Sequence, residues 1–311
     1  MKKYSFLVLL ISMTVCSFAQ TEMLNSQYLF EKTFVTPANF SQEETLRIFM
    51  NYQSTQGRER AGENSLYSLA ANYRMKNQKS LIGVNLVNNK FGPEGTLMGY
   101  LNYTYNIQLS DDSYISNGFG LGFQQYRLDL SNSEGVIISD PSLSGNIYSS
   151  KFDFRIGATA VLKKTGYVGV SFDNVLSRYN NQNDVAQDYL PASFKRINMT
   201  IMAGNKTALD NEFDLTYEGI YTHNFGGIKT FDLNGGVLLV KKIGVGLSYR
   251  RAVKNEEERN LGNGLVRPYL TLAVDKNNNN LKFNYAYGFA SNKINTVGIN
   301  THEFGLTFLF K

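Results

Sequence analysis

Apolar and polar residues alternate one for one along most of this chain. In the closing stretch Phe304, Leu306, Phe308 and Phe310 are apolar, while Glu303, Gly305, Thr307 and Lys311 beside them are polar or small. Just upstream, Leu281, Phe283, Tyr285, Tyr287 and Phe289 alternate with Lys282, Asn284, Ala286 and Gly288. Successive side chains of a strand point to opposite faces, so strict period-2 alternation predicts half-buried β-strands. By the same reading Phe152, Phe154, Ile156, Ala158 and Ala160 share one face of a strand, and Ile243, Val245, Leu247 and Tyr249 one face of another. The pattern predicts about fourteen strands, at 45–53, 65–75, 80–88, 96–108, 113–128, 151–162, 166–173, 195–206, 211–222, 228–240, 242–251, 265–275, 280–289 and 301–310. Most reach the ~10 residues that a tilted membrane strand needs.

The connections sort into two kinds. Short turns fall at 76–79, 110–112, 163–165, 207–210, 241 and 276–279, where Asn277 to Asn280 is a run suited to left-handed backbone. Longer ones fall at 54–64, 89–95, 129–150, 174–194, 222–227, 252–264 and 290–300. Short and long alternate without exception in this reading, as in outer-membrane barrels, whose tight turns lie on the periplasmic side and whose longer loops lie outside. An even strand number puts both chain ends in the periplasm. The expected fold is therefore all-β: a transmembrane antiparallel β-barrel of the outer-membrane type over residues 45–311. A secreted β-sandwich shares the alternation, but has no reason to keep the turn rule and rarely grows a single core much beyond ~250 residues.

Residues 1–19 have the form of an export signal. Lys2 and Lys3 are basic, Phe6 to Val15 is apolar, and Ser17-Phe18-Ala19 is a small-x-small site, so cleavage is expected between Ala19 and Gln20. The apolar run is too short to cross a bilayer as a helix. Cys16 raises a lipoprotein alternative, which Val15 before it fits poorly. Cleavage leaves no cysteine, hence no disulfide and no thiolate metal site. It also removes two lysines, leaving 29 basic against 26 acidic side chains, so the net charge falls from +5 to +3. That excess is too small to argue for nucleic acid. Nowhere later do ~20 apolar residues run together, so helical membrane spans are not expected. Only 18% of residues are charged, against 20 Tyr, 21 Phe and 27 Gly, a mixture a barrel produces because alternate residues meet lipid.

Candidate chemistry is sparse. Two histidines, His223 and His302, stand far apart; no motif joins either to Ser248 as a nucleophile–base pair, so no catalytic residue is expected. They lack zinc-ligand spacing, and Asp184, Asp188 and Glu256 to Glu258 read as solvated loop charges in preference to a weak calcium site, so no metal or cofactor is expected. Gly118, Gly120 and Gly122 share one strand face opposite Phe119, Leu121 and Phe123, which makes them close-packed wall positions and not a phosphate loop. Tyr52, Tyr73, Tyr100, Tyr103, Tyr105, Tyr249 and Tyr285 read as girdle or wall aromatics, and Lys163-Lys164, Lys241-Lys242 and Arg250-Arg251 as rim charges. Asp153, Arg155, Thr159, Asn198, Thr200, Asp214, Thr216 and Glu218 form a mixed polar interior. Residues 20–44 precede the first strand and carry Tyr28, Phe30 and Phe34 outside any pleat, so they are expected to dock a periplasmic partner or to fold into the lumen as a plug.

Several segments carry a family resemblance. Ser26-Gln27-Tyr28-Leu29-Phe30 followed by Thr36-Pro37-Ala38, the block from Gly83 to Pro93 (GVNLVNNKFGP), Gly169 to Leu176 (GVSFDNVL), Tyr285-Ala286-Tyr287, and Thr301 to Leu306 (THEFGL) together resemble the PorP/SprF family of outer-membrane proteins. The chain departs from the family pattern in having no Trp, Asn89 where Asp is usual, and Thr36 where Asn precedes the proline. The resemblance implies a non-catalytic part in type IX secretion, or in delivering and anchoring its surface cargo, such as gliding adhesins. The implied partners are outer-membrane lipid, type IX secretion components and a secreted protein with a C-terminal sorting domain. The implied location is the bacterial outer membrane. From the residues alone, a porin or small-solute transporter remains the alternative, because a polar interior suits either.

Overall fold

The structure is a computed structural model that describes residues 27–38, 44–56, 64–129, 147–176, 180–181, 197–225, 229–240, 242–253, 264–276, 279–290 and 300–310. Fourteen long strands make up the wall. They are β1 (Leu46–Gln56), β2 (Asn64–Arg74), β3 (Ser80–Phe91), β4 (Glu94–Ser110) and β5 (Ser113–Leu128). Then come β6 (Ile147–Leu162), β7 (Gly166–Asp173), β8 (Asn198–Ala208), β9 (Phe213–Asn224) and β10 (Lys229–Leu239). The last are β11 (Ile243–Val253), β12 (Leu265–Lys276), β13 (Asn279–Ala290) and β14 (Asn300–Phe310). Each pairs antiparallel with its neighbours in sequence, and β14 pairs with β1 from Leu46–Phe310 to Gln56–Asn300. The sheet thus closes into a 14-stranded antiparallel barrel and leaves no edge. A two-residue bridge, Asn180–Asn181, adds to β6 at Ser149 and Ser150.

Closure follows from the alternation. On β14, Thr301, Glu303, Gly305, Thr307 and Leu309 are buried inward while Phe304, Leu306, Phe308 and Phe310 face out. On β5, Phe119, Leu121 and Phe123 are exposed on the outer surface and Gly118 and Gly120 are buried on the inner. The outside is a belt of large apolar groups, among them Leu101, Leu121, Ile156, Val245 and Leu272. The inside is polar: Asn51, Asn85, Asn102, Asp153, Thr159 and Thr200 are all buried there. Both faces come from one alternating sequence, as a membrane barrel requires.

Three local expectations are corrected or narrowed. The connection expected at 89–95 is a two-residue hairpin, because β3 runs to Phe91 and β4 starts at Glu94 with those two residues paired. Gly92 supplies the left-handed backbone (φ +55°) that so tight a reversal needs, and Pro93 presets the next φ. The connection between β9 and β10 is likewise only 225–228, no longer than the 209–212 turn on the other side. The strict alternation of short and long connections therefore does not hold. Second, of the two readings girdle or wall, Tyr100 takes the wall one: it shares the inward parity of Asn102 and Thr104 on β4 and is buried, away from any girdle. Third, Arg250 is no rim charge. It alternates with outward Tyr249 and Arg251 on β11, and its guanidinium reaches Asp232 inside the barrel.

One ladder is incomplete. β12 and β13 pair at Leu265–Ala290 and Val266–Phe289, then resume in the same register at Tyr269–Ala286. Pro268 lies in the gap; it has no N–H to give, so the bond that would close this stretch is missing. Ala19 and Gln20, Asp184 and Asp188, and Glu256 to Glu258 lie outside the described residues.

Candidate functional site

Residues 27–38 precede the wall and form two short 3₁₀ turns, Gln27–Leu29 and Lys32–Phe34. Glu31 caps the second: its carboxylate accepts from the Thr33 N–H at 3.2 Å and the Thr33 hydroxyl at 2.8 Å. Farther on, the Thr36 hydroxyl accepts from the Ala38 N–H at 3.1 Å, a local bond that turns the chain again. Tyr28, Glu31, Thr33, Thr36 and Ala38 are all buried. What buries them is the inner face of the barrel.

The contacts run around the wall. Arg47 on β1 donates from Nε to Glu31 at 2.6 Å and from Nη2 to the Phe30 carbonyl at 2.6 Å. Asn72 on β2 donates to Glu31 at 3.3 Å, and Asn85 on β3 to the Thr33 hydroxyl at 3.1 Å. Thr104 on β4 donates to the Pro37 carbonyl at 2.6 Å, and Ser171 on β7 to the Val35 carbonyl at 2.5 Å. On the other side Lys32 pairs with Glu218 of β9, and the Tyr28 hydroxyl donates to Asp232 of β10 at 2.7 Å. Arg250 of β11 pairs with that same Asp232 and lies over the Tyr28 ring, 5.1 Å from its centre. Burial pushes the Tyr28 phenol up to about 12, so it remains a protonated donor to Asp232.

Apolar contacts complete the fit. Tyr28 clusters with Met202 of β8 and Ile220 of β9, joined by Leu29, Val35 and Tyr167. Phe30 meets Tyr269 of β12 edge-on at 6.0 Å, and Phe34 meets Phe49 of β1 at 6.0 Å. Where the backbone of the segment comes closest to the wall, the wall residue is glycine. A Cβ on Gly118 of β5 would sit 2.4 Å from the Pro37 carbonyl carbon and oxygen, and one on Gly157 of β6 would sit 2.7 Å from the Thr36 hydroxyl. Every strand from β1 to β12 thus touches these twelve residues.

A second polar cluster lies between β4 and β7, toward the loop end. Asp153 accepts from the Tyr100 hydroxyl at 2.6 Å and from Gln124 at 3.1 Å, and its neighbour Arg155 pairs with Asp173 at 2.9 Å. Lys151 donates to Asn174 at 3.0 Å. Tyr100, Gln124, Asp153, Lys151 and Asn174 are tied together by such bonds, as buried polar groups must be, and they stiffen the wall there.

Other candidates come apart. Ser248 is fully buried on the inner face of β11, whereas His223 faces outward on β9, stacked on Phe225 at 4.5 Å, so the two do not meet. His302 lies on the outer face of β14, where its Nδ1 is 3.0 Å from the Tyr285 hydroxyl of β13. Among the described residues no three His, Cys, Asp or Glu gather as a metal site. Glu31, Lys32, Arg47 and Asp232, which do most to hold the inner segment, carried no motif. For Arg47 and Asp232 the only signal in sequence is a charge at inward parity on a strand, which requires a partner; Glu31 and Lys32 lie outside any strand and had no such signal.

Several segments singled out by the family resemblance meet at this site: Tyr28, Phe30 and Thr36-Pro37-Ala38 belong to the inner segment, and Asn85 and Ser171 of the wall bond to its Thr33 and Val35. A family model described as type IX secretion system membrane protein PorP/SprF matches residues 17–308. No curated protein sequence matches the chain. Among solved structures it is similar to the CymD monoaromatic hydrocarbon channel, at 11% identity and TM-score 0.56, over 94% of both chains. It is also similar to the Ralstonia pickettii toluene transporter TbuX, at 10% identity and TM-score 0.55, over 90% of this chain and 93% of that one. Identities this low show a shared fold and nothing about what passes through it.

Proposed function

This chain belongs to the PorP/SprF family of type IX secretion system membrane proteins, and from that premise we propose that it works in the bacterial outer membrane as a non-catalytic component of type IX secretion, or in delivering and anchoring its surface cargo. The observation that carries this reading is the family match over nearly the whole chain, on a barrel with an apolar outer belt. The partners we assign are outer-membrane lipid, type IX secretion components, and a secreted protein with a C-terminal sorting domain, such as a gliding adhesin. Export follows cleavage of residues 1–19 between Ala19 and Gln20. The C-terminal residues Phe304, Leu306, Phe308 and Phe310 serve as the lipid-facing side of the strand that closes the barrel.

A solute-transport reading draws on the polar interior. It is weakened because that interior is engaged by the chain's own residues 27–38. The test is deletion of the gene followed by surface proteomics and affinity purification from membranes. The expected outcome is one or more sorting-domain proteins trapped inside the cell or shed into the medium, and type IX components among the co-purified proteins. Unchanged surface display, with no secretion protein recovered, refutes the assignment.

A further inference from the structure

Residues 31 and 32 are neighbours in sequence, yet they are tied to opposite sides of the barrel. Glu31 is held by Arg47 on β1, and Lys32 by Glu218 on β9, eight strands further along a ring of fourteen. Two adjacent residues can reach walls so far apart only if the segment lies across the lumen. The remaining contacts fill the space on either side of that strut. Tyr28 is set into Met202, Ile220, Asp232 and Arg250, and Pro37 lies against Gly118 so closely that a methyl group there would strike its carbonyl.

We propose that residues 27–38 are a built-in seal: they close the lumen to ions and small solutes, and the Lys32–Glu218 pair locks them in place. An interior lined by polar groups fills with water and conducts unless something occupies it. Here the occupant comes from the same chain and is matched to the wall by charge, by edge-on ring contacts and by glycines at the points of closest approach. The ionic pairs contribute registry more than net stability, since each charge has lost its hydration on entering the barrel. The segment can therefore be unlocked by single changes in charge without loss of the barrel. The seal does not depend on which cargo the protein serves.

The experiment is ion conductance of the purified full-length protein in a planar bilayer, with heat-modifiable migration on a gel as the check that each variant has a folded barrel. The wild type is expected to be silent. Lys32→Glu sets two carboxylates against each other and is expected to give steady current. Lys32→Glu combined with Glu218→Lys is expected to return to silence. Gly118→Leu wedges the segment from a different part of the wall, at Pro37, with both charges intact, and is expected to conduct as well.

A thiol reporter covers the case in which a charge variant does not fold. Ala38→Cys, the one thiol of the mature chain once residues 1–19 are removed, is expected in the otherwise wild-type barrel to resist a water-soluble maleimide in native membranes and to react once the barrel is unfolded. Steady current through the wild type, rapid labelling of the cysteine at position 38 in the folded protein, or silence of folded Lys32→Glu and Gly118→Leu variants overturns the proposal. A silent wild type that fails the cargo test would leave the seal standing and remove only the secretion assignment.

Discussion

Lys32 and Glu218 sit side by side out of bulk water, with side chains 19% and 13% exposed, and each is the other's counter-ion. Removing one partner of such a pair strands a charge, which typically costs about 3–5 kcal/mol, whereas replacing both by apolar groups is often neutral or better. Lys32→Met is therefore expected to lower the temperature at which the compact gel band converts to the unfolded one. Lys32→Met with Glu218→Met should recover most of that loss. If the single variant melts like the wild type, the pair bears no load. Side chains on the outer face obey a different rule, because there the solvent is hydrocarbon and no counter-ion is at hand.

Strands and hairpins carry their own signatures. The β3–β4 hairpin closes in two residues because Gly92 accepts a φ of +55° and the Asn64 side chain takes its N–H at 3.0 Å. Nothing in a count of polar residues distinguishes that from a long loop. The β12–β13 ladder is weakened by one proline on the outer face, where an unmade backbone bond has no water to turn to. Pro268→Val restores a donor opposite Tyr287 without changing which face the side chain occupies. It is expected to stabilise the barrel by about 0.5–1.5 kcal/mol, read as a higher urea midpoint with unchanged slope. No gain would mean that the gap is already bridged in another way.

At the scale of the whole molecule, one sheet serves two solvents. Leu121 lies half-way along β5, 57% exposed and flanked on the outside by other apolar groups. An arginine there faces the bilayer midplane and is expected to cost about 2–4 kcal/mol, measured as a loss of folded barrel in lipid vesicles. Loss of no more than a few tenths would mean that this face does not meet hydrocarbon. Inside, Arg155 is tolerated one strand away because Asp173 and the Tyr100 ring receive it, at 2.9 and 5.0 Å. The same side chain is a defect on one surface and a structural part on the other.

Alternation is a local property of the pleated backbone, so the strands, their number and the inner or outer face of most residues were legible without any knowledge of the fold. The expected strand at 113–128 and the expected strand at 166–173 match the structure residue for residue, and the polar set from Asp153 to Glu218 does line the interior. Tyr28, Phe30 and Phe34 stood out as apolar residues without a strand to belong to. The sequence left two destinations open for them, a periplasmic partner or the lumen, and gave no sign of Glu31, Lys32, Arg47, Asp232 or the inward roles of Tyr100 and Arg250. Period 2 says which way a side chain points but not what stands opposite it. That depends on how far round the ring each strand falls, which is settled only when β14 meets β1 and brings strands remote in sequence to either side of the same twelve residues.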